Sequence, residues 1–121
     1  MLNDINFKNY RRVYIYGFGL TGRWLSDNIP IEVEGFIDTD EKKKGRSHNN
    51  KKVYSIQDVQ DILGKNDLVI VTVVDIQDVV PLIKRQLKDV EWIALGEYLN
   101  STKVDGTKNF TDEKNDFVEF S

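Results

Sequence analysis

The 121-residue chain is long enough for one domain with a core of its own. It is 40% hydrophobic and 31% charged, which excludes global disorder and fibrous architectures. The net charge of -3 gives no electrostatic reason to approach nucleic acid or an anionic membrane, and the absence of Cys excludes disulfides, thiol catalysis and cysteinyl metal sites.

Residues 1–12, MLNDINFKNYRR, hold no apolar run of signal-peptide length, and no stretch approaches the roughly 20 apolar residues of a membrane span. A cytoplasmic location is therefore expected. Val13 to Tyr16 is a short β-branched and aromatic run ending at a glycine, which predicts a strand buried on both faces. The spacing then predicts a helix over Leu20 to Asn28 with Leu20, Trp24 and Leu25 inward, stopped by Pro30. A second strand is predicted over Glu32 to Ile37, ending at Asp38.

From Thr39 to Lys52 the composition turns polar, with Lys42 to Lys44, Gly45 and the pair Asn49-Asn50, and a loop is expected. Val53-Tyr54 reads as a very short third strand. Ser55 is a good N-cap for a helix carrying Ile56, Val59, Ile62 and Leu63 inward and stopping at Gly64. Asp67 to Val74 is almost wholly apolar and predicts the central strand, paired beside Val13 to Tyr16. A helix over Ile76 to Leu87 places Val79, Val80, Ile83 and Leu87 inward, with Pro81 tolerable only in its first turn. Trp92 to Leu95 is a fifth strand, and Phe117 to Phe120 reads as an edge strand or an interface segment.

Strands alternating with helices imply right-handed crossovers and parallel neighbours. The fold class is α/β: a three-layer, Rossmann-like open parallel sheet of about five strands, order 3-2-1-4-5, with helices on both faces. The domain is expected over 1–100, with a polar tail over 101–121.

Gly17-Phe18-Gly19-Leu20-Thr21-Gly22 is G-x-G-x-x-G placed directly after a predicted strand and opening a predicted helix. In that context the first glycine permits a tight turn, the second lets a pyrophosphate approach the backbone, and the third lets helix pack on strand. The helix N-terminus attracts phosphate, so the residues from Gly17 to Thr21 and Gly22 are candidates, with Arg23 as a possible phosphate ligand. An acid that binds ribose hydroxyls lies about 20 residues on, and Asp38 falls at that distance. Its charge repels a 2′-phosphate, which favours NAD over NADP, with the three lysines as the counterargument. Thr72 and Asp75 end the fourth strand at the carboxyl edge and are further candidates. The competing reading is a glycine turn that serves the fold alone.

His48, the only histidine, has no carboxylate partner visible in the spacing and reads as a solvated loop residue. Lys42 to Lys44 read as a solvated face, the alternative being a basic loop that closes on a diphosphate.

The segments VYIYGFGLTGRWL, GFIDTDEKKKG, VYSIQDVQDIL and DLVIVTVV resemble the small N-terminal Rossmann domains of bacterial sugar-modifying proteins. These are the CapD-like nucleotide-sugar dehydratases and epimerases, the PglD-like sugar acyltransferases and some FkbM-like methyltransferases. The resemblance runs from about Arg12 to Leu99. It implies a domain that binds NAD or a UDP-sugar in surface-polysaccharide or glycoconjugate biosynthesis, with its chemistry supplied by a second domain. Only Gly17, Gly19, Gly22 and Asp38 carry over, and no family catalytic residue maps onto this chain. A resemblance to the CoA-binding form of the fold rests on the same residues. The expected partners are a nucleotide or nucleotide sugar and a second copy or a separate catalytic subunit. The alternatives are an NAD-dependent dehydrogenase or epimerase component completed by a partner chain, and an interaction module with a vestigial glycine turn.

Overall fold

The computed structural model describes residues 6–73 and 76–96. In chain order the strands and helices are β1 Arg12–Tyr16, α1 Leu20–Asn28, β2 Gly35–Ile37, β3 Ser47–His48, β4 Lys51–Tyr54, α2 Ile56–Val59, β5 Asp67–Val71, α3 Ile76–Gln86 and β6 Glu91–Ala94.

 Their order across the sheet is β3-β4-β2-β1-β5-β6, and every pairing is parallel except the β3-β4 hairpin.

β1 and β5 lie side by side at the centre, in register from Arg12 opposite Asp67 to Tyr16 opposite Val71. Both strands are apolar on both faces because a helical layer covers each face. On one side Val13, Ile15, Phe36, Leu68, Ile70 and Ile93 pack with Leu25 and Ile29 of α1 and its exit. On the other, Tyr14, Tyr16, Ile37, Val69 and Val71 pack with α2 and α3 through Ile56, Val59, Val79 and Ile83. The result is three layers, with the expected order 3-2-1-4-5 present as β4-β2-β1-β5-β6.

Several expectations are corrected. The segment expected to be loop up to Lys52 contains a sixth strand, β3, and the start of β4, joined by Asn49 and Asn50 at φ 52° and 70°. Asn tolerates this left-handed backbone, which gives a two-residue hairpin the twist of its strands. β2 starts at Gly35 rather than Glu32, although Val33 is buried and the Glu34 N–H already reaches the Val13 carbonyl at 2.8 Å. β5 ends at Val71, and Val74 and Asp75 lie outside the described residues, as does the tail from 97 onward.

α2 is a single turn. Ser55 and Asp58 form a reciprocal capping box at its start, but the helix ends after Val59, so Leu63 turns inward while Ile62 is left 48% exposed. Leu20 also points outward, 53% exposed, because it is the first residue of α1 and precedes the contact of that helix with the sheet. Pro81 is the sixth residue of α3, beyond the first turn, and withholds the N–H that the Gln77 carbonyl would otherwise receive. Val80 is half-buried rather than part of the core. Among the described residues no helix is long and apolar enough to cross a membrane.

Candidate functional site

The parallel strands β1, β2 and β5 end together, and the chain leaves β1 through the glycine turn at that carboxyl edge, where open α/β sheets bind ligands. Gly17 has φ +117°, a backbone that L side chains rarely adopt, and its N–H donates to the Ile37 carbonyl at 2.7 Å. A Cβ at Gly17 would lie 2.6 Å from Thr72 Oγ1. A Cβ at Gly22 would run into the Gly17 carbonyl, so α1 lies against the strand end only because Gly22 has no side chain. Around Gly19 nothing lies within 4 Å of the corresponding position. Two glycines are thus required by packing, and the middle one faces open space.

Gly19 is the N-cap of α1 in extended backbone, without a side-chain capping bond. Thr21 and Gly22 are buried in the first turn. Phe18 is buried and meets Phe36 edge-on at 4.9 Å between ring centroids. Arg23 folds back: its Nε donates to the Gly19 carbonyl at 3.2 Å and its guanidinium carbon stands 5.4 Å from the Phe18 ring centroid. That places a cation at the turn, held by a carbonyl and an aromatic face.

Asp38 follows β2 and reaches the turn. Its Oδ2 accepts the Phe18 N–H at 2.8 Å, and its Oδ1 accepts the Asp40 N–H at 2.8 Å. Lys43 Nζ stands 3.8 Å from Oδ2. The Thr72 hydroxyl, buried, donates to the Tyr16 carbonyl at 3.0 Å, tying the ends of β1 and β5 rather than pointing to solvent. Tyr16 itself is buried with its hydroxyl lacking a hydrogen-bond partner, and burial, followed by the Asp38 charge, pushes its pKa up to about 12. The phenol is neutral at physiological pH.

The structure therefore brings Gly17, Phe18, Gly19, Leu20, Thr21, Gly22, Arg23, Asp38 and Thr72 to one edge of the sheet. Sequence reasoning missed three partners. Lys43 returns to Asp38 through consecutive turns; Lys44 reaches Asp58 at 3.4 Å; and His48 Nε2 meets both Asp27 carboxylate oxygens at 3.0 Å. Asn49 Nδ2 donates to the same Asp27 carboxylate at 2.7 Å. This last cluster joins the C-terminal end of α1 to the β3-β4 hairpin, at the opposite end of α1 from the glycine turn. No spacing signal reveals it, because Asp27 and His48 belong to different elements.

No protein-family model matches the sequence, and no curated protein matches it. Solved structures do. UDP-D-quinovosamine 4-dehydrogenase from Vibrio fischeri superposes with a TM-score of 0.52 at 19% identity, over 84% of this chain and 86% of that one. RSP in complex with beta-NAD+ and operator DNA gives a TM-score of 0.56 at 14% identity, over 91% of this chain and 64% of that one. A second structure of RSP, a Rex-family repressor, gives 0.54 at 13% identity, over 93% and 64%. The chain thus spans less than two thirds of the repressor's length. At these identities the likeness shows the fold, and with the topology above it defines the class: a Rossmann-type α/β domain. The finer resemblance to CapD-like, PglD-like and FkbM-like proteins rests on the residues quoted for it and has no matching family model.

Proposed function

We propose that this chain is a nucleotide-binding domain that seats the diphosphate of NAD, or of a nucleotide sugar such as a UDP-sugar, on the turn from Gly17 to Gly22. The observation that carries this reading is the open space at Gly19 between two glycines that packing requires. A turn that served the fold alone needs Gly17 and Gly22 but has no steric use for a third glycine. A phosphate that approaches the backbone at the start of α1 does, since it needs the space that a side chain would fill. In this reading Phe18, Leu20, Thr21 and Gly22 form the backbone of the cradle, Arg23 supplies a cation, Thr72 holds the neighbouring strand end, and Asp38 receives ribose hydroxyls and favours NAD over NADP.

The domain then serves surface-polysaccharide or glycoconjugate biosynthesis, with chemistry supplied by a partner chain, and we assign no catalytic residue to it. Two of the structural neighbours support the ligand class: one is a UDP-sugar dehydrogenase and the other was solved with beta-NAD+. The competing reading, a vestigial turn in an interaction module, draws on Asp38, both of whose oxygens already accept backbone N–H groups.

Titration calorimetry with NAD, NADP, UDP, UDP-sugars and CoA tests the proposal. Replacing Gly19 with Val is expected to weaken the bound nucleotide by at least about tenfold, roughly 1.4 kcal/mol, with the melting temperature unchanged. Extended backbone at Gly19 accepts Val without strain. Unchanged affinity would move the ligand away from this turn and favour the interaction module.

A further inference from the structure

The three adjacent lysines that read as one solvated face do three different things. Lys42 is exposed, and its backbone N–H donates to Asp40 Oδ1 at 3.0 Å. Lys44 pairs with Asp58 of the α2 capping box. Lys43 alone turns back to the glycine turn, its ammonium 3.8 Å from the Asp38 carboxylate, with side-chain exposures of 34% and 13% for the two residues.

This geometry is built at both ends of the loop. Asp38 Oδ1 holds the Asp40 N–H, and the Lys43 N–H donates to the Asp40 carbonyl at 2.9 Å. Further on, the Gly45 N–H donates to the Val53 carbonyl at 3.0 Å, and the Val53 N–H donates to the Arg46 carbonyl at 2.8 Å. The loop is thereby tied to the end of β2 at its start and to β4 at its finish, with Lys43 between.

We propose that Lys43 is a specificity-determining residue that sets how strictly the site rejects a phosphorylated adenosine ribose. The inference rests on the nucleotide-binding reading above and deepens it. A lone carboxylate at Asp38 accepts hydrogen bonds from a free ribose and repels a 2′-phosphate. An ammonium within ion-pair distance offsets that repulsion and carries three N–H donors, only part of which Asp38 can occupy. Lys43 therefore narrows the gap between NAD and NADP that Asp38 opens, and does so without contributing to the seat of the diphosphate at Gly19.

The test is titration calorimetry of the full chain with NAD and with NADP. Lys43→Met is expected to keep NAD affinity within about threefold, as for loss of a part-exposed ion pair. It is expected to raise the ratio of the NADP to the NAD dissociation constant by at least about tenfold, equivalent to 1.4 kcal/mol. Lys43→Arg keeps the wild-type ratio because it keeps the cation. Lys44→Met, which removes a neighbouring charge directed at Asp58, also leaves the ratio unchanged. An unchanged ratio in Lys43→Met, or an equal rise in Lys44→Met, overturns the assignment to Lys43 while leaving the nucleotide site standing. A wild-type chain that binds neither dinucleotide overturns the assignment to Lys43, and the nucleotide-binding reading falls with it only when UDP and UDP-sugars also fail to bind.

Discussion

The two ends of β1 each meet a carboxylate, and they use it in opposite ways. At the N-terminal end, Asp67 is fully buried and saturated: it accepts from Arg11 Nη2 and Arg12 Nε, both at 3.2 Å, and from the Gly64 N–H at 2.8 Å. Burial alone would raise its pKa, but the hydrogen bonds from Arg11 and Gly64 and the charges of Arg12 and Arg11 outweigh it and hold the carboxyl below its ordinary value. At the C-terminal end, Asp38 keeps some exposure, receives two backbone N–H groups and one lysine, and stands beside a glycine with open space around it. A closed set of donors makes a carboxylate part of the framework. An open neighbourhood is what the proposed nucleotide site requires of Asp38, and in a parallel sheet such a neighbourhood lies at the carboxyl edge.

The strongest way to break this comparison is at Gly22, where the open edge is itself held together by close packing. Gly22→Val should cost about 3 kcal/mol or more, because the new side chain meets backbone that cannot retreat without moving α1 from β1. Thermal denaturation without ligand measures it, in contrast to Gly19→Val, which should act on the ligand alone. A melting temperature unchanged by Gly22→Val would refute the steric role.

Asp67→Asn probes the closed end and should cost about 2 kcal/mol at neutral pH, through loss of charge-assisted hydrogen bonds. Because the folded carboxyl has a lowered pKa, its contribution is complete above the unfolded value of about 4 and is lost as pH falls through the folded value. Urea unfolding of both proteins at neutral pH and about pH 3 should show the difference shrinking at the acid end, with nucleotide affinity at neutral pH unaffected. A gap that stayed constant would mean that the carboxylate charge is not what stabilises this end.

The smallest effect is expected at Leu20. Its side chain is mostly exposed, so Leu20→Ser should change stability by no more than about 0.5 kcal/mol. A larger loss in melting temperature would show that the open edge is covered by contacts in solution.

Much of the fold is legible in the order of residues alone. β1 and β5 are apolar at consecutive positions, a pattern that only a strand covered on both sides can satisfy, and this placed them together at the centre. The expected length of α2 failed for a reason that is not local. Ile62 continues the helical spacing, and Ser55 sets the start of the helix, but the chain must turn after Val59 to deliver Leu63 to the core and the Gly64 N–H to Asp67. β3 escaped notice because Ser47 and His48 have no apolar alternation, and they become a strand only by pairing with Lys52 and Lys51.

By itself the sequence determined the order of strands and helices apart from β3, the position of the glycine turn between β1 and α1, and the acid at the end of β2. Each depends on residue type and spacing along the chain, which hydrophobic periodicity and backbone permissiveness express directly. Only the tertiary structure decided that Gly17 and Gly22 are filled by their surroundings while Gly19 is not, that Asp38 holds the Phe18 N–H, and that Lys43 and Lys44 part company. These are distances between residues of different elements, and they come into being only when the sheet brings its strand ends together.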